Sequence, residues 1–167
     1  MTEYSGKSYG TTFAIIAFLM LGVLFYLYSD RYFARDYNPN QTVSFNDDEL
    51  HLAVSGDGHY RVSGFINQQP VLFLLDTGAS GIALSEELAL RLHLPKGSKV
   101  QSMTANGSTD GWMTSLSTIT IGGVTINNMP ATILPNIDNE ILLGMSYLRH
   151  FDWHHADGEL ILKPNSK

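Results

Sequence analysis

Between Lys7 and Asp30 the chain carries no charged residue, and the run Phe13 to Tyr28 is almost wholly apolar. As a helix rising about 1.5 Å per residue, this stretch matches a hydrocarbon core roughly 30 Å thick. A secretory signal peptide is the rival reading, with Lys7 as its basic region. Such segments have shorter apolar cores and end in small residues. This one ends in Tyr26-Leu27-Tyr28-Ser29-Asp30-Arg31, with aromatic rings where an interfacial belt would sit. The core helix of a soluble protein needs a shorter uncharged run. The expectation is a tail over residues 1–10 and an uncleaved transmembrane anchor over 11–29. Lys7 and the amino terminus lie on one side of it, Arg31 and Arg35 on the other, so basic residues set no clear orientation.

Residues 30–49, with Asn38-Pro39-Asn40 and Asn46-Asp47-Asp48, are polar and aperiodic, and read as a linker to a domain over 50–167. A net charge of −6 without any Lys/Arg cluster argues against nucleic acid as a partner. The absence of cysteine excludes disulfides and thiol chemistry.

The domain reads as many short strands. Tyr60 to Ile66 alternates in period two, Asn67-Gln68-Gln69 turns the chain, and Pro70 to Leu75 returns it, a predicted hairpin. Ser85 followed by Glu86 and Glu87 marks the start of a short helix ending before Pro95. Further strands are predicted over 99–105, 112–121, 124–126 and 131–134. The turn-rich stretch Ala105 to Gly111 is read as a hairpin tip. Ile141 to Leu148 reads as a buried strand turning through Gly144 into a short helix. A last hairpin pairs Phe151–His154 with Glu159–Leu162.

One motif carries chemistry. The apolar strand Val71 to Leu75 delivers a lone carboxylate into a tight turn, Asp76-Thr77-Gly78-Ala79-Ser80. A buried unpaired charge costs several kcal/mol, about 3–5 where a partner has been lost, so a strand ending in one calls for a reason. With Leu142-Leu143-Gly144 some sixty residues later, the chain resembles the retropepsin-type aspartic proteases, most of all their bacterial membrane-anchored members. The resemblance runs over roughly residues 58 to 164.

That resemblance implies an all-β fold, a small closed β-barrel with one or two short helices behind a single transmembrane helix. It implies a peptide hydrolase in which two carboxyl groups share one proton, because two like charges so close cannot both ionise. Asp76 would be the catalytic residue. Thr77, Gly78, Ala79, Ser80 and Gly144 would form its scaffold, and Ala105, Asn106 and Gly107 the flap that closes over substrate. No second Asp-Thr-Gly occurs, and Asp110, Asp138, Asp152 and Asp157 sit in turn-like contexts. The partner carboxylate must then come from a second copy, so a homodimer acting on peptide or protein substrates is implied. Ala79 has no hydroxyl to stabilise the ionised acid, which implies a working pH from mildly acidic to near neutral. No cofactor and no metal are expected: alternation would send His154 and His155 to opposite faces of a strand. Related proteins imply a bacterial inner membrane with the domain in the periplasm. The competing reading is a noncatalytic dimeric binding or assembly module that keeps the protease fold.

Overall fold

The computed structural model describes residues 9–43, 45–104, 107–135 and 137–165. The chain divides into two compact units between Asp36 and Tyr37.

The first unit is a single long helix, α1 (Tyr9–Tyr37), whose last residue already belongs to the second unit. Within its segment Gly10–Tyr37 the most apolar 18-residue window has a mean hydropathy of 2.2, and none of that window is buried. Phe13, Phe18 and Phe25 all stand exposed. A helix apolar all round needs an apolar solvent. By length and composition this one fits a membrane span, and also a signal sequence.

The second unit is all-β apart from two short helices. Its strands are β1 (Phe45–Asn46), β2 (Glu49–Ala53), β3 (Tyr60–Ile66), β4 (Gln69–Leu75), β5 (Ile82–Ser85), β6 (Lys99–Thr104), β7 (Gly107–Ile121), β8 (Val124–Leu134), β9 (Ile141–Leu143), β10 (Phe151–Ala156) and β11 (Glu159–Pro164); α2 (Glu86–Arg91) and α3 (Met145–Leu148) follow β5 and β9. The larger sheet runs β3-β4-β9-β5-β8-β7-β6, and pairing of β3 with β7 brings it back on itself, leaving β6 outside the ring. Gly64 makes that seam feasible. A Cβ there would lie 2.4 Å from the Thr120 carbonyl oxygen of β7. The smaller antiparallel sheet has the order β1-β2-β11-β10. One apolar cluster fills the ring and reaches the small sheet, from Val62, Phe73, Leu84 and Ile133 to Leu50, Leu52 and Leu162.

Local chemistry explains the elements. β3 and β4 meet through Ile66 and Gln69, so Asn67 and Gln68 alone make the turn, both at positive φ (48° and 68°). Twist-matched two-residue turns require that conformation. Asn67 is further held by β7: its N–H donates to the Thr118 carbonyl, and its Oδ1 accepts from the Thr118 N–H. At α2, the Ser85 hydroxyl accepts from the Leu88 N–H at 3.1 Å, as an N-cap should. The turn-rich stretch 107–111, read as part of a hairpin tip, is strand instead, since Gly107 to Gly111 pair in register with Val100 to Thr104. Likewise 124–126 and 131–134 are one strand, β8, whose register against β7 is unchanged on either side of Asn128.

The polar stretch read as a linker is occupied differently along its length. Residues 30–37 continue α1, and residues 38–40 lie against the domain. Asn40 is 4 % exposed. Its amide donates to the carbonyls of Ala53 (2.8 Å) and Arg61 (2.7 Å), and its Oδ1 accepts from the Ala53 N–H. A carboxamide offers both donors and an acceptor, so it can substitute for a strand partner between β2 and β3. Asn38 donates to the Ser63 hydroxyl and accepts from the Asn40 N–H.

Next to this strap lies Arg61, 7 % exposed. It donates to Glu140 (2.8 Å) and Asp57 (2.7 Å), and its guanidinium stacks on the Tyr37 ring. The Tyr37 hydroxyl donates to the same Glu140 carboxylate.

Candidate active site

β4 is packed on both faces, with Val71, Phe73 and Leu75 buried and Leu72 and Leu74 half-buried, and it ends at Asp76. The loop from Asp76 to Gly81 then crosses to β5. Between those strands lies β9, parallel to β4 and antiparallel to β5, with Leu143 opposite both Leu75 and Ile82. Three residues of β9 therefore hold both ends of the loop.

The loop's hydrogen bonds are nearly all backbone. The Asp76 N–H donates to the Leu143 carbonyl, and the Ala79 N–H to the Asp76 carbonyl. On the far side the N–H groups of Gly144, Met145 and Ser146 donate to the carbonyls of Gly81, Ala79 and Ser80, at 2.8–3.0 Å. The first turn of a helix leaves its N–H groups without intrahelical partners, and here the loop supplies them. α3 needs no side-chain cap and has none. Gly144 is required for this fit, since a Cβ would come within 2.4 Å of the Ala79 carbonyl oxygen and 2.5 Å of that of Gly81.

The Asp76 carboxylate accepts from the Gly78 N–H at 2.8 Å. A Cβ on Gly78 would stand 3.1 Å from that same oxygen, so glycine keeps the approach open. Ala79 is half-buried and contributes its carbonyl, while Thr77, Gly78 and Ser80 are exposed.

Asp76 and Thr77 line a cleft of about 270 Å³ with Leu74, Leu75, Leu148 and Leu160, and with His59, Tyr60, Trp153 and His155. Asp76 is the sole carboxylate among these lining residues. The Tyr60 hydroxyl lies 3.1 Å from His155 Nδ1, which joins β3 of the ring to β10 of the small sheet. This aromatic wall was missed in the sequence, although alternation along β10 puts Trp153 and His155 on one face. Asp110, Asp138, Asp152 and Asp157 are all exposed and none lines the cleft.

The arms of the expected flap are β6 and β7, paired from Lys99 with Trp112 to Thr104 with Gly107. Gly107 opens β7 at φ +105°. Ala105 and Asn106 lie outside the described residues. Met103, near the end of β6, is 83 % exposed.

A carboxylate in a backbone-locked turn, beneath a strand that crosses between the two strands flanking it, defines an aspartic protease fold. The model of the family described as gag-polyprotein putative aspartyl protease matches residues 62–150, a little over half the chain. A crystal structure of a retropepsin-like aspartic protease from Rickettsia conorii superposes with a TM-score of 0.61 at 31 % identity, over 72 % of this chain and 94 % of that one. An uncharacterized protein of Rickettsia prowazekii is 35 % identical over 127 residues, 74 % of this chain and 54 % of the relative. A Sinorhizobium protein from the cobV 5′ region is 34 % identical over 111 residues, 64 % of this chain and 48 % of the relative. The chain spans about half the length of the curated relatives it matches. It belongs to the retropepsin-like aspartic protease family.

Proposed function

We propose that this chain is a membrane-anchored aspartic endopeptidase that works as a two-fold homodimer, with Asp76 of each copy forming the catalytic pair. The observation that carries this reading is the state of Asp76. Its carboxylate stands on an exposed loop and, among the described residues, receives one donor and shares the cleft with no second acid.

In the pair, the ionised carboxylate takes a proton from a trapped water as that water attacks the peptide carbonyl. The protonated carboxyl donates to the developing oxyanion, and no acyl-enzyme forms. Thr77 and Gly78, exposed beside it, would meet their counterparts across the dimer axis. The β6–β7 hairpin, with Ala105, Asn106 and Gly107 at its tip, would close over an extended substrate. α1 would anchor the assembly in a bacterial inner membrane with the domain in the periplasm, and a topology reporter fused after Lys167 tests that orientation.

Asp76→Asn in the full chain, held in detergent micelles, is expected to lower peptide cleavage by at least about a thousandfold without changing the sedimentation of the dimer. Unchanged cleavage would sink the assignment. Mixing wild type with excess Asp76→Asn subunits should suppress activity further than dilution does. An active species that sediments as a monomer contradicts the shared pair.

A further inference from the structure

α1 runs without a break from Tyr9 to Tyr37, the first residue of the second unit. Tyr37 is engaged by Arg61 and Glu140, and Asn38 and Asn40 are buried in hydrogen bonds to β2 and β3. A flexible tether would need exposed polar residues without fixed partners. These side chains have fixed partners instead, so none of the chain between helix and domain is free to pay out.

From this we infer the substrate class, resting on the anchored-protease reading above: the bonds cut are in polypeptide segments held close to the same membrane face. A ceiling on reach follows from lengths alone, whatever the domain's orientation. The apolar run ends at Tyr28, and the nine helical residues from Ser29 to Tyr37 add about 13 Å at about 1.5 Å each. A domain of this length has a radius of gyration near 14 Å, hence a diameter of about 36 Å. The Asp76 cleft therefore lies no farther than about 50 Å from the hydrocarbon surface. Tilting of the helix or the domain only shortens that distance. Confinement to one surface also raises the effective concentration of substrates anchored there.

The test uses the full chain in liposomes and one decapeptide, selected from a random mixture by its cleavage in detergent. That peptide is attached to lipid through rigid helical spacers that hold its scissile bond about 20 Å or about 100 Å from the bilayer. Cleavage of the near display is expected to exceed that of the far display at least tenfold. A variant with about sixty Gly/Ser residues inserted between Asp36 and Tyr37 should recover the far display, since such an insert spans about 40 Å on average and extends well beyond. Equal cleavage of near and far displays by the uninserted chain overturns the inference while leaving the protease reading intact. Absence of cleavage of any peptide in detergent overturns both.

Discussion

Two carboxylates lie at opposite ends of the same pair of parallel strands and are treated in opposite ways. Glu140 enters β9 and is enclosed by partners from its own chain, the Arg61 guanidinium and the Tyr37 hydroxyl, with only 11 % of its side chain exposed. Asp76 leaves β4 and has the Gly78 N–H. A structural acid is completed within the chain, because a buried charge left alone is costly. An acid held by a rigid backbone yet left open in its surroundings is arranged for something that arrives later. On our reading that is the second copy and the water between them.

Substitutions at the two positions should therefore separate activity from stability. The largest effect is expected at Asp76, where asparagine removes activity by at least about a thousandfold with little change in melting temperature. Gly144→Ala comes next. Its methyl group cannot fit between two carbonyl oxygens, and thermal denaturation should register a loss of about 3 kcal/mol or more, with activity falling as the loop is displaced. Arg61→Met leaves Glu140 without its cation and should cost about 3 kcal/mol, the low end for a broken buried pair because Glu140 can take up a proton. If urea unfolding shows Arg61→Met to be harmless, Glu140 is not the enclosed acid described here.

Smaller effects distinguish the two acids on Arg61. Burial raises the Glu140 pKa, so the folded state binds the extra proton, and stability falls as pH rises from the ordinary carboxylate value through the raised one. The hydrogen bond from Arg61 lowers that of Asp57 despite some opposing desolvation. Its contribution is present above the ordinary value and lost as pH falls through the lowered one. Melting temperatures across pH should show Glu140→Gln removing the falling arm, a slope below the one-proton limit of about 1.4 kcal/mol per pH unit, and Asp57→Asn removing the rising arm. A Glu140→Gln profile parallel to wild type would contradict the first assignment. The smallest change is expected at Tyr147, whose buried hydroxyl has no hydrogen-bond partner among the described residues. Tyr147→Phe should stay within about 1 kcal/mol of wild type and lean toward higher stability. A marked loss would reveal a partner for that hydroxyl.

Much of the fold was legible because local rules act strongly there. The period of β3, the apolar run of β4 and the Ser85 cap each encode an element in adjacent residues. Gly144 was also legible, as the break in Ile141 to Leu148. The strap was not. Asn38-Pro39-Asn40 has the composition of a linker, and only partners at Ala53, Arg61 and Ser63 make it part of the domain. The Tyr60–His155 contact across the cleft was hidden for the same reason, since its two residues meet through the packing of separate sheets. Local pattern also could not separate β7 from its expected tip, because Gly107 to Gly111 are turn formers that cross-strand bonding holds extended.

The three residues of β9 also set the order in which the molecule can be made. β4 and its aspartate leave the ribosome before β9, and the loop after β4 lacks the contacts from β9 and α3 until Ile141 pairs with Phe73 and Gly144 reaches Gly81. Pairings so far apart in sequence form late, because loop closure must be completed before they return any stabilisation. Nascent chains thus carry Asp76 without the scaffold that orients it until the segment through Gly144 has been made. On the protease reading, delayed assembly is itself a safeguard: a partly made subunit has the acid but no fixed geometry with which to cut its neighbours.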